Sequence, residues 1–274
     1  MKKNIKFLLI MLVITCSVGS NLLANFGLPG LSLPNDILTG YNYDLVSMLK
    51  HSKVSKKLFY AAYSPWMYDT KYSVINYSFG DGFVGFKGLL SDEIEIRGEQ
   101  PTDEPAGETQ YHNFAFGGGK FFKIDKLTIG ISANVLFEKL YYQSAWGFSV
   151  NSLFKYDFNE FFKPYAGVDN LGKIEKLAEE PTALPTKYFV GNEYDFKNIK
   201  VRASLGMDND QEVFYRLGAY YFNKYGIIST GYSSYEKVWH YGIQVFIKNY
   251  TIGFGQFINT EELKSPFMFS IAIK

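Results

Sequence analysis

The chain has 274 residues, of which 47% are hydrophobic and 18% aromatic, yet its mean hydropathy is −0.10 and its formal net charge is +1. Its 22 tyrosines and 25 phenylalanines exclude an intrinsically disordered chain, which would be poor in aromatic residues. The near-neutral charge argues against nucleic-acid binding, and after the N-terminus no run of about 20 apolar residues predicts a membrane-spanning helix.

Residues 1–24 have the pattern of a secretory signal peptide. Three lysines come first: Lys2, Lys3 and Lys6. An apolar core follows over residues 7–16, which is too short to span a bilayer as a helix. Cleavage after Ser20 and cleavage after Ala24 both fit the pattern. A short N-terminal anchor is the less favoured interpretation because no stop-transfer pattern follows, so the sequence predicts export.

Residues 25–56 do not alternate in polarity. Leucines are interspersed there with Gly, Pro and Asn, and a short helical stretch follows over residues 44–51. Two interpretations stay open: a plug-like segment in the mouth of a barrel, and a linker before the first strand.

From residue 57 onward, stretches of roughly 8 to 15 residues alternate in character and are separated by turns, which is the period-two pattern of β-strands. In the clearest stretch, residues 126–138, one face is apolar and the other is small or polar, with Leu136 as the exception. The apolar face consists of Leu127, Ile129, Ile131, Ala133, Val135 and Phe137. We count about fourteen such stretches.

The predicted connections alternate in length. Short turns are predicted at residues 80–82, 196–198, 223–224 and 248–249, and longer links at residues 65–69, 91–108, 171–184 and 259–264. Short turns at one end and longer loops at the other are typical of a transmembrane barrel with an even number of strands.

A soluble β-sandwich is less favoured, because its outer face would carry many charges. Here the second face is rich in Gly, Ser, Thr, Asn and Gln, which suits a lumen, and aromatic residues recur near the strand ends, as in interfacial girdles.

The link over residues 91–108 is acidic, with seven carboxylates against one arginine, Arg97. Such a segment can bind a divalent cation through its oxygen atoms. The favoured interpretation is a solvated external loop.

Residues that carry catalysis are scarce. The only cysteine, Cys16, lies in the signal segment, and His51, His112 and His240 are scattered without metal-ligand spacing. The Gly-Gly-Gly-Lys sequence at residues 117–120 lacks the Ser or Thr of a phosphate loop, and glycines inside a strand usually mark a bend, bulge or close backbone approach. The sequence therefore predicts no enzyme activity, no metal site and no cofactor. A hydrolase in which His112 or His240 assists a serine is the minority alternative.

Four stretches resemble a known family. KLTIGISANVLFEKL at residues 126–140 is followed by SAWGFSVNSLFKY at 144–156, YAGVDNLGK at 165–173 and ALPTKYFVGNEYDF at 183–196. They resemble the PorV/PorQ family of outer-membrane proteins, a branch of the FadL-like barrels. The most recognisable pieces are Asp169-Asn170-Leu171-Gly172 and Leu184-Pro185-Thr186.

This resemblance implies a fourteen-stranded barrel with an N-terminal plug. For FadL-like members it implies passage of hydrophobic compounds, and for PorV-like members it implies a role in handing secreted proteins to an export machine. The chain departs from the pattern in two places: the Asn-Pro-Ala motif of the plug is not found, and the last residue is Lys274 rather than an aromatic residue.

We therefore predict an all-β protein, an antiparallel outer-membrane β-barrel of about fourteen strands over residues 57–274, behind a signal peptide (residues 1–24) and a plug or linker segment (residues 25–56). The predicted function is passive transport or binding of small hydrophobic compounds; the alternative is a non-transporting assembly or secretion-associated protein. Six polar residues are expected to line the lumen and bind substrate: Asn134, Glu138, Asn151, Arg202, Arg216 and Gln244. Expected partners are outer-membrane lipids, small hydrophobic ligands and, under the alternative, a secretion or assembly machinery.

Overall fold

The computed structural model describes residues 57–65, 69–97, 104–175, 183–259 and 265–274. The predicted signal peptide and the predicted plug or linker lie outside these residues. In the part of the chain that is described, no helix is long and apolar enough to cross a membrane.

The described chain forms β-strands joined by turns. The strands are β1 (Lys57–Pro65), β2 (Thr70–Phe79), β3 (Gly82–Ser91), β4 (Ile94–Ile96), β5 (Gly107–Thr109), β6 (His112–Ile124), β7 (Leu127–Leu140), β8 (Gln143–Tyr156), β9 (Phe162–Ile174), β10 (Lys187–Phe196), β11 (Ile199–Asp208), β12 (Val213–Asn223), β13 (Gly226–Ser233), β14 (Val238–Ile247), β15 (Tyr250–Asn259) and β16 (Phe267–Ile273). Fourteen of them form one closed antiparallel barrel in which each strand pairs with its neighbours in the chain and β16 pairs with β1. The small strands β4 and β5 pair only with each other, so β3 and β6 are adjacent in the wall. The predicted all-β barrel of about fourteen strands is confirmed.

The two faces of the wall differ as the alternation predicts. On β7, Ile131 and Val135 are 47% and 52% exposed, whereas Ser132 and Leu136 are 3% and 0% exposed. Because the wall is closed, the exposed face is the outside of the barrel and the buried face is the lumen. The apolar side chains therefore point outward along β7, with Leu136 as the inward exception.

The two ends of the barrel have different connections. The start of β1 and the end of β16 lie at the same end, since Phe59 pairs with Ile273. At this end, called the turn end, every connection has two residues except that between β8 and β9, which has five. The opposite end, called the loop end, carries the longer connections. One connection there is as short as those at the turn end, the Tyr141-Tyr142 turn between β7 and β8.

Local backbone conformation explains the tight turns. Gly80, Asp125, Lys197 and Lys248 each open a two-residue turn with a positive φ, between 50° and 61°. Two-residue hairpins favour this left-handed conformation because their twist then matches that of the strands, although the Lys224-Tyr225 turn forms without it. Asp125, Lys197 and Lys248 adopt it without being glycine.

A bulge interrupts β9 at one of the recognisable sequence pieces. Val150 pairs with Leu171, but Ser152 pairs with Val168, so Asp169 and Asn170 lie together opposite a single residue of β8. Asn170 has a φ of 57°, and the bulge turns both Asp169 and Asn170 toward the lumen, where they are 4% and 3% exposed. Between the bulge and the loop end, β9 pairs with β8 alone, because β10 begins at Lys187 opposite Asp169.

The second recognisable piece packs against this bulge. Thr186 Oγ1 donates a hydrogen bond to the Asn170 carbonyl at 2.9 Å, and Asn170 Nδ2 donates to the Pro185 carbonyl at 3.3 Å. Leu184 is buried against Ala115 and Leu136 of the inner wall. The two short motifs, which are about 15 residues apart in sequence, thus form one structural unit at the loop end.

A closed barrel predicts resistance to detergent at room temperature. An unboiled sample in mild detergent should migrate faster on a gel than a boiled one, because the closed ladder keeps the chain compact until heat opens it. Circular dichroism of the same sample should have a β-type spectrum. A protein that is monomeric in water without detergent, or whose migration does not depend on heating, would contradict the transmembrane barrel.

Candidate functional site: the lumen

Part of the inner wall is apolar. Large side chains from β12, β13, β15 and β16 continue onto β1, β2 and β3 and pack into one buried cluster, although the same side of the barrel also turns Ser229, Gln244 and Ser270 inward. Its members are Leu58, Tyr60, Ala62, Tyr72, Val74, Leu89, Tyr220, Ile227, Phe257, Met268 and Ala272, with the partly buried Tyr111, Phe222, Val238 and Phe246 packed against it. We call this set the apolar cluster. Its aromatic rings and thioether offer dispersion contacts and few hydrogen bonds, so it is suited to apolar ligands.

On the inner side of β8 to β11, toward the turn end, charged side chains are gathered around Glu193, which is 2% exposed. Its carboxylate accepts Lys155 Nζ at 2.7 Å, Lys200 Nζ at 3.0 Å and Arg202 Nη2 at 2.6 Å. Asp195 pairs with Lys200 at 3.3 Å and also with Lys163. We call these six residues the Glu193 cluster. Its four cations exceed its two carboxylates, so the cluster carries a net charge of +2.

The sheet itself brings these charges together. Arg202 lies directly opposite Glu193 in the β10–β11 register, whereas Lys155 reaches Glu193 across the intervening strand β9. Burying Glu193 and its cations removes them largely from water, which costs free energy. The attraction between the carboxylate and the cations, together with their hydrogen bonds, offsets this cost.

A second charged group lies toward the loop end. Glu236, in the turn between β13 and β14, accepts Arg216 Nη2 at 2.7 Å and Lys187 Nζ at 3.2 Å, and Ser233 Oγ also donates to it. These four residues form the Glu236 cluster. Burial by itself would raise the pKa of Glu236, but the positive charges of Arg216 and Lys187 outweigh it and lower the pKa to about 2. The carboxylate is therefore ionised at any physiological pH.

Aromatic rings cover the Glu236 cluster. The Tyr235 ring centroid lies 3.8 Å from Lys187 Nζ, and the Phe214 ring lies 5.4 Å from the Tyr235 ring and 4.8 Å from Arg216 Cζ. Burial and the nearby Asp208 carboxylate raise the pKa of Tyr235 to about 12, so this hydroxyl stays protonated. These contacts hold the β13–β14 turn against the inner side of β10 and β12.

On the side of the Glu193 cluster away from β11, the strands β7 to β9 carry neutral polar side chains. Asn134 Nδ2 donates to Ser149 Oγ at 3.1 Å, and Asn151 Nδ2 donates to Ser132 Oγ at 2.9 Å. The Asn151 carbonyl oxygen Oδ1 in turn accepts the backbone N–H of Asn170 at 2.6 Å, so the polar strip reaches the bulge.

Tyr111 and Glu138 form a further polar contact near the loop end. The Tyr111 hydroxyl donates to Glu138 Oε1 at 2.6 Å and accepts a hydrogen bond from Asn113 Nδ2 at 3.1 Å. Burial, followed by the hydrogen bond to Glu138, raises the pKa of the Tyr111 hydroxyl well above its ordinary value. Tyr111 therefore acts as a neutral donor.

Inward-facing glycines let aromatic rings lie flat on the wall. A Cβ on Gly191 would be 2.6 Å from the Tyr165 ring, and a Cβ on Gly167 would be 2.6 Å from the Phe189 ring. The two rings pack edge to face with centroids 6.2 Å apart. Glycine is required at both positions because any side chain would push a ring off the wall.

All six residues that the sequence predicts for the lumen have inward-facing positions. They are Asn134, Glu138, Asn151, Arg202, Arg216 and Gln244. The structure does not gather them into one site: Arg202 belongs to the Glu193 cluster, and Arg216 belongs to the Glu236 cluster at the other end. Glu138 Oε2 and Arg202 Nη1 have no hydrogen-bond partner among the described residues. Each retains the capacity to bond a polar atom, and ligand binding by the six stays a prediction.

The sequence interpretation missed several charged residues of the lumen. Lys155, Lys200 and Glu193 occupy inward positions that the period-two pattern could have identified. Lys187 is the first residue of its strand, and Glu236 lies in a turn, where no periodic signal exists.

The remaining candidates for chemistry lie apart. His112 faces outward beside the Phe114 ring, at 5.8 Å, whereas His240 faces the lumen and is 1% exposed. The glycines of residues 117–120 lie within β6, where a Cβ on Gly117 would be 2.1 Å from Asn134 Oδ1, so they allow close approach of neighbouring groups. In the acidic segment, Glu95 pairs with Arg97 at 2.7 Å and Asp92 pairs with Lys71. The described ranges contain no group of three or more side chains that could hold a metal ion.

Comparison with known proteins identifies the fold. No family model matches the chain, and no curated protein matches it. The P. putida toluene transporter TodX is similar in structure, with a TM-score of 0.54 and 10% identity over 81% of this chain and 90% of TodX. The CymD monoaromatic hydrocarbon channel has a TM-score of 0.52 and 9% identity over 90% of this chain and 98% of that one. These likenesses show the barrel fold that the resemblance implies, while membership of the PorV/PorQ family stays a prediction.

Replacement of Glu193 by Gln should destabilise the barrel strongly. The buried cations Lys155 and Arg202 would lose the charge that compensates them, and breaking a buried pair in this way costs about 3 kcal/mol or more of unfolding free energy. Urea unfolding of the protein refolded in detergent measures the loss. Glu160→Gln, an exposed change in the β8–β9 turn, is the control and should alter stability by less than about 0.5 kcal/mol. Equal effects of the two substitutions would show that the Glu193 cluster does not stabilise the fold.

The Glu236 cluster should contribute a defined pH dependence. The folded-state pKa of Glu236, about 2, is below the ordinary value of about 4.3, so its stabilising contribution is present above about pH 4.3 and is lost as the pH falls toward 2. The difference in unfolding free energy between the wild type and Glu236→Gln should therefore shrink over that interval. Unfolding followed by tryptophan fluorescence at a series of pH values tests this. A difference that stays constant from neutral pH to pH 2 would contradict it.

Proposed function

We propose that the protein is an outer-membrane barrel that binds small, largely apolar molecules in its lumen and lets them pass. The observation that carries this proposal is the apolar cluster, whose members lie on the inner wall from β12 around to β3. A pore for hydrated solutes has a polar interior, so a large apolar cluster on the inner wall is accounted for by ligands that it can contact.

The outer surface supports a membrane location. Aliphatic side chains face outward around the wall, and Ile131, Leu205 and Ile252 are 47%, 58% and 50% exposed. A closed barrel satisfies every backbone hydrogen bond within the wall, as an apolar solvent requires. Exposed aromatic residues lie toward both strand ends, at the levels of the two bilayer interfaces. Toward the loop end they include Trp146, Tyr215 and Trp239, and toward the turn end Phe79, Tyr225 and Tyr250.

The fold comparison agrees with the proposed ligand class. TodX is described as a toluene transporter and CymD as a monoaromatic hydrocarbon channel. By extension, small aromatic hydrocarbons are the first ligands to test with this protein.

The two charged clusters are expected to steer rather than to hold the ligand. The Glu193 and Glu236 clusters lie toward opposite ends of the wall formed by β8 to β13, so the polar sector runs beside the apolar cluster along the lumen. An apolar ligand gains from contact with the apolar cluster and not from contact with the charged side chains. Its path is therefore expected to follow the apolar cluster.

Toluene uptake into vesicles that contain the purified barrel tests the proposal. Asn134 lies near the middle of β7, faces the lumen and is only half-buried. Asn134→Trp should place a large ring across the lumen and lower uptake severalfold. The matched control is Ala133→Trp, one residue away on the lipid face, which should leave uptake unchanged.

One observation favours the second candidate, a non-transporting, secretion-associated protein of the PorV-like kind. Several of the largest lumen-facing side chains are almost completely buried: Tyr72 is 0%, Met268 0% and Phe214 1% exposed. A well-packed interior suits a barrel that serves as an attachment platform. Vesicles that take up no more toluene than empty ones, a barrel that retains no apolar ligand on purification, and a stoichiometric partner recovered from native membranes would together favour this candidate over transport.

A further inference from the structure

The turn end of the barrel carries lysines in a regular arrangement on the β10 to β16 side. Each two-residue turn on this side contains one lysine. They are Lys197, Lys224 and Lys248, all of them exposed. We call these three residues the basic half-rim. Successive turns are two strands apart, so neighbouring lysines are spaced about 10 Å along the rim.

No Asp or Glu side chain lies among the described residues of these turns. Residues 196–199, 222–226 and 246–251 contain neither. Asp195 precedes this set, but it faces the lumen and pairs with Lys163 and Lys200. The acidic residues of the turn end lie on the other side of the barrel, beside Lys123 and Lys126. These are Asp81, Asp125, Asp157 and Glu160.

Aromatic residues lie between the lysines at the same level. Lys224 Nζ is 4.8 Å from the Tyr225 ring centroid. Tyr225 is 67% exposed and Tyr250 is 48% exposed. Aromatic rings at the end of an apolar band mark the bilayer interface, and lysine stems extend along such surfaces and place the ammonium groups among the lipid headgroups.

We propose that the basic half-rim binds the headgroups of anionic phospholipids in the leaflet at the turn end. A soluble acidic partner would be attracted by the lysines as well, but it would gain nothing from rings placed at the depth of the interface. The proposal rests on the membrane location proposed above and is independent of transport. It makes this side of the barrel a selective contact for anionic lipid, whereas the β2 to β9 side has mixed charges.

The experiment compares the association of spin-labelled phosphatidylglycerol and spin-labelled phosphatidylcholine with the full-length barrel in phosphatidylcholine vesicles. The wild type should favour phosphatidylglycerol severalfold at low salt. This preference should approach one at about 1 M salt, where the Debye length is only about 3 Å. The triple variant K197Q/K224Q/K248Q should lose most of the preference, since each lysine near an anionic surface contributes roughly a fivefold factor at most.

The matched control variant is K120Q/K123Q/K126Q, which removes the same number of charges from the turn end on the side where carboxylates are present. It should keep most of the preference. Equal association of the two lipids with the wild type, or an equal loss in both triple variants, would overturn the proposal. Binding of soluble polyglutamate without a preference for phosphatidylglycerol would assign the surface to an acidic protein and overturn it too.

Heat-modifiable migration after reconstitution separates this proposal from the one on which it rests. A barrel that inserts equally into vesicles with and without phosphatidylglycerol, and that shows no lipid preference, would overturn only the lipid contact. A barrel that inserts into neither kind of vesicle would overturn the membrane location together with the lipid contact.

Discussion

The pairing of β1 with β16 is the contact on which the rest of the structure depends. In an apolar solvent an unpaired backbone N–H or C=O has no water to bond, so a sheet that spans a membrane must have no edge. Closing the wall satisfies both outer strands at once. Closure also separates two environments, and each strand must present apolar residues to one and a mixed surface to the other. The alternation of the chain and its near-zero mean hydropathy both follow from this requirement.

Closure imposes a second condition on the inside of the wall. Polar and charged side chains that face inward are taken largely out of water, and each therefore needs a partner. Glu193 fulfils this condition for Lys155 and Arg202, and Glu236 does so for Lys187 and Arg216. Both carboxylates are surrounded by cations of other strands, so the ion pairs also connect strands that share no ladder. The Glu193 and Glu236 clusters therefore stabilise the wall together with the apolar cluster.

The strands could be predicted from the sequence because one short-range rule, alternation, acts on every strand in the same way. The inward positions of Asn151, Arg202 and Gln244 follow from that rule alone. The pairing of Lys155 with Glu193, 38 residues later, could not be predicted, since it depends on the register of three strands and on side-chain reach. Glu236 lies in a turn, and the bulge at Asn170 shifts the alternation by one residue, so neither obeys the rule. The alternation therefore predicted the strands of the wall but not the side-chain contacts inside it.

The rings that lie over Gly167 and Gly191 occupy little of the lumen at that height. A ring that lies against bare backbone takes up the thickness of an aromatic face, whereas the same ring standing upright would extend across the opening by its full length. The space in the lumen at this height therefore depends on two residues that have no side chain. Exchanging glycine for alanine at these two positions would push the rings into the lumen, with every aromatic residue and every strand length unchanged.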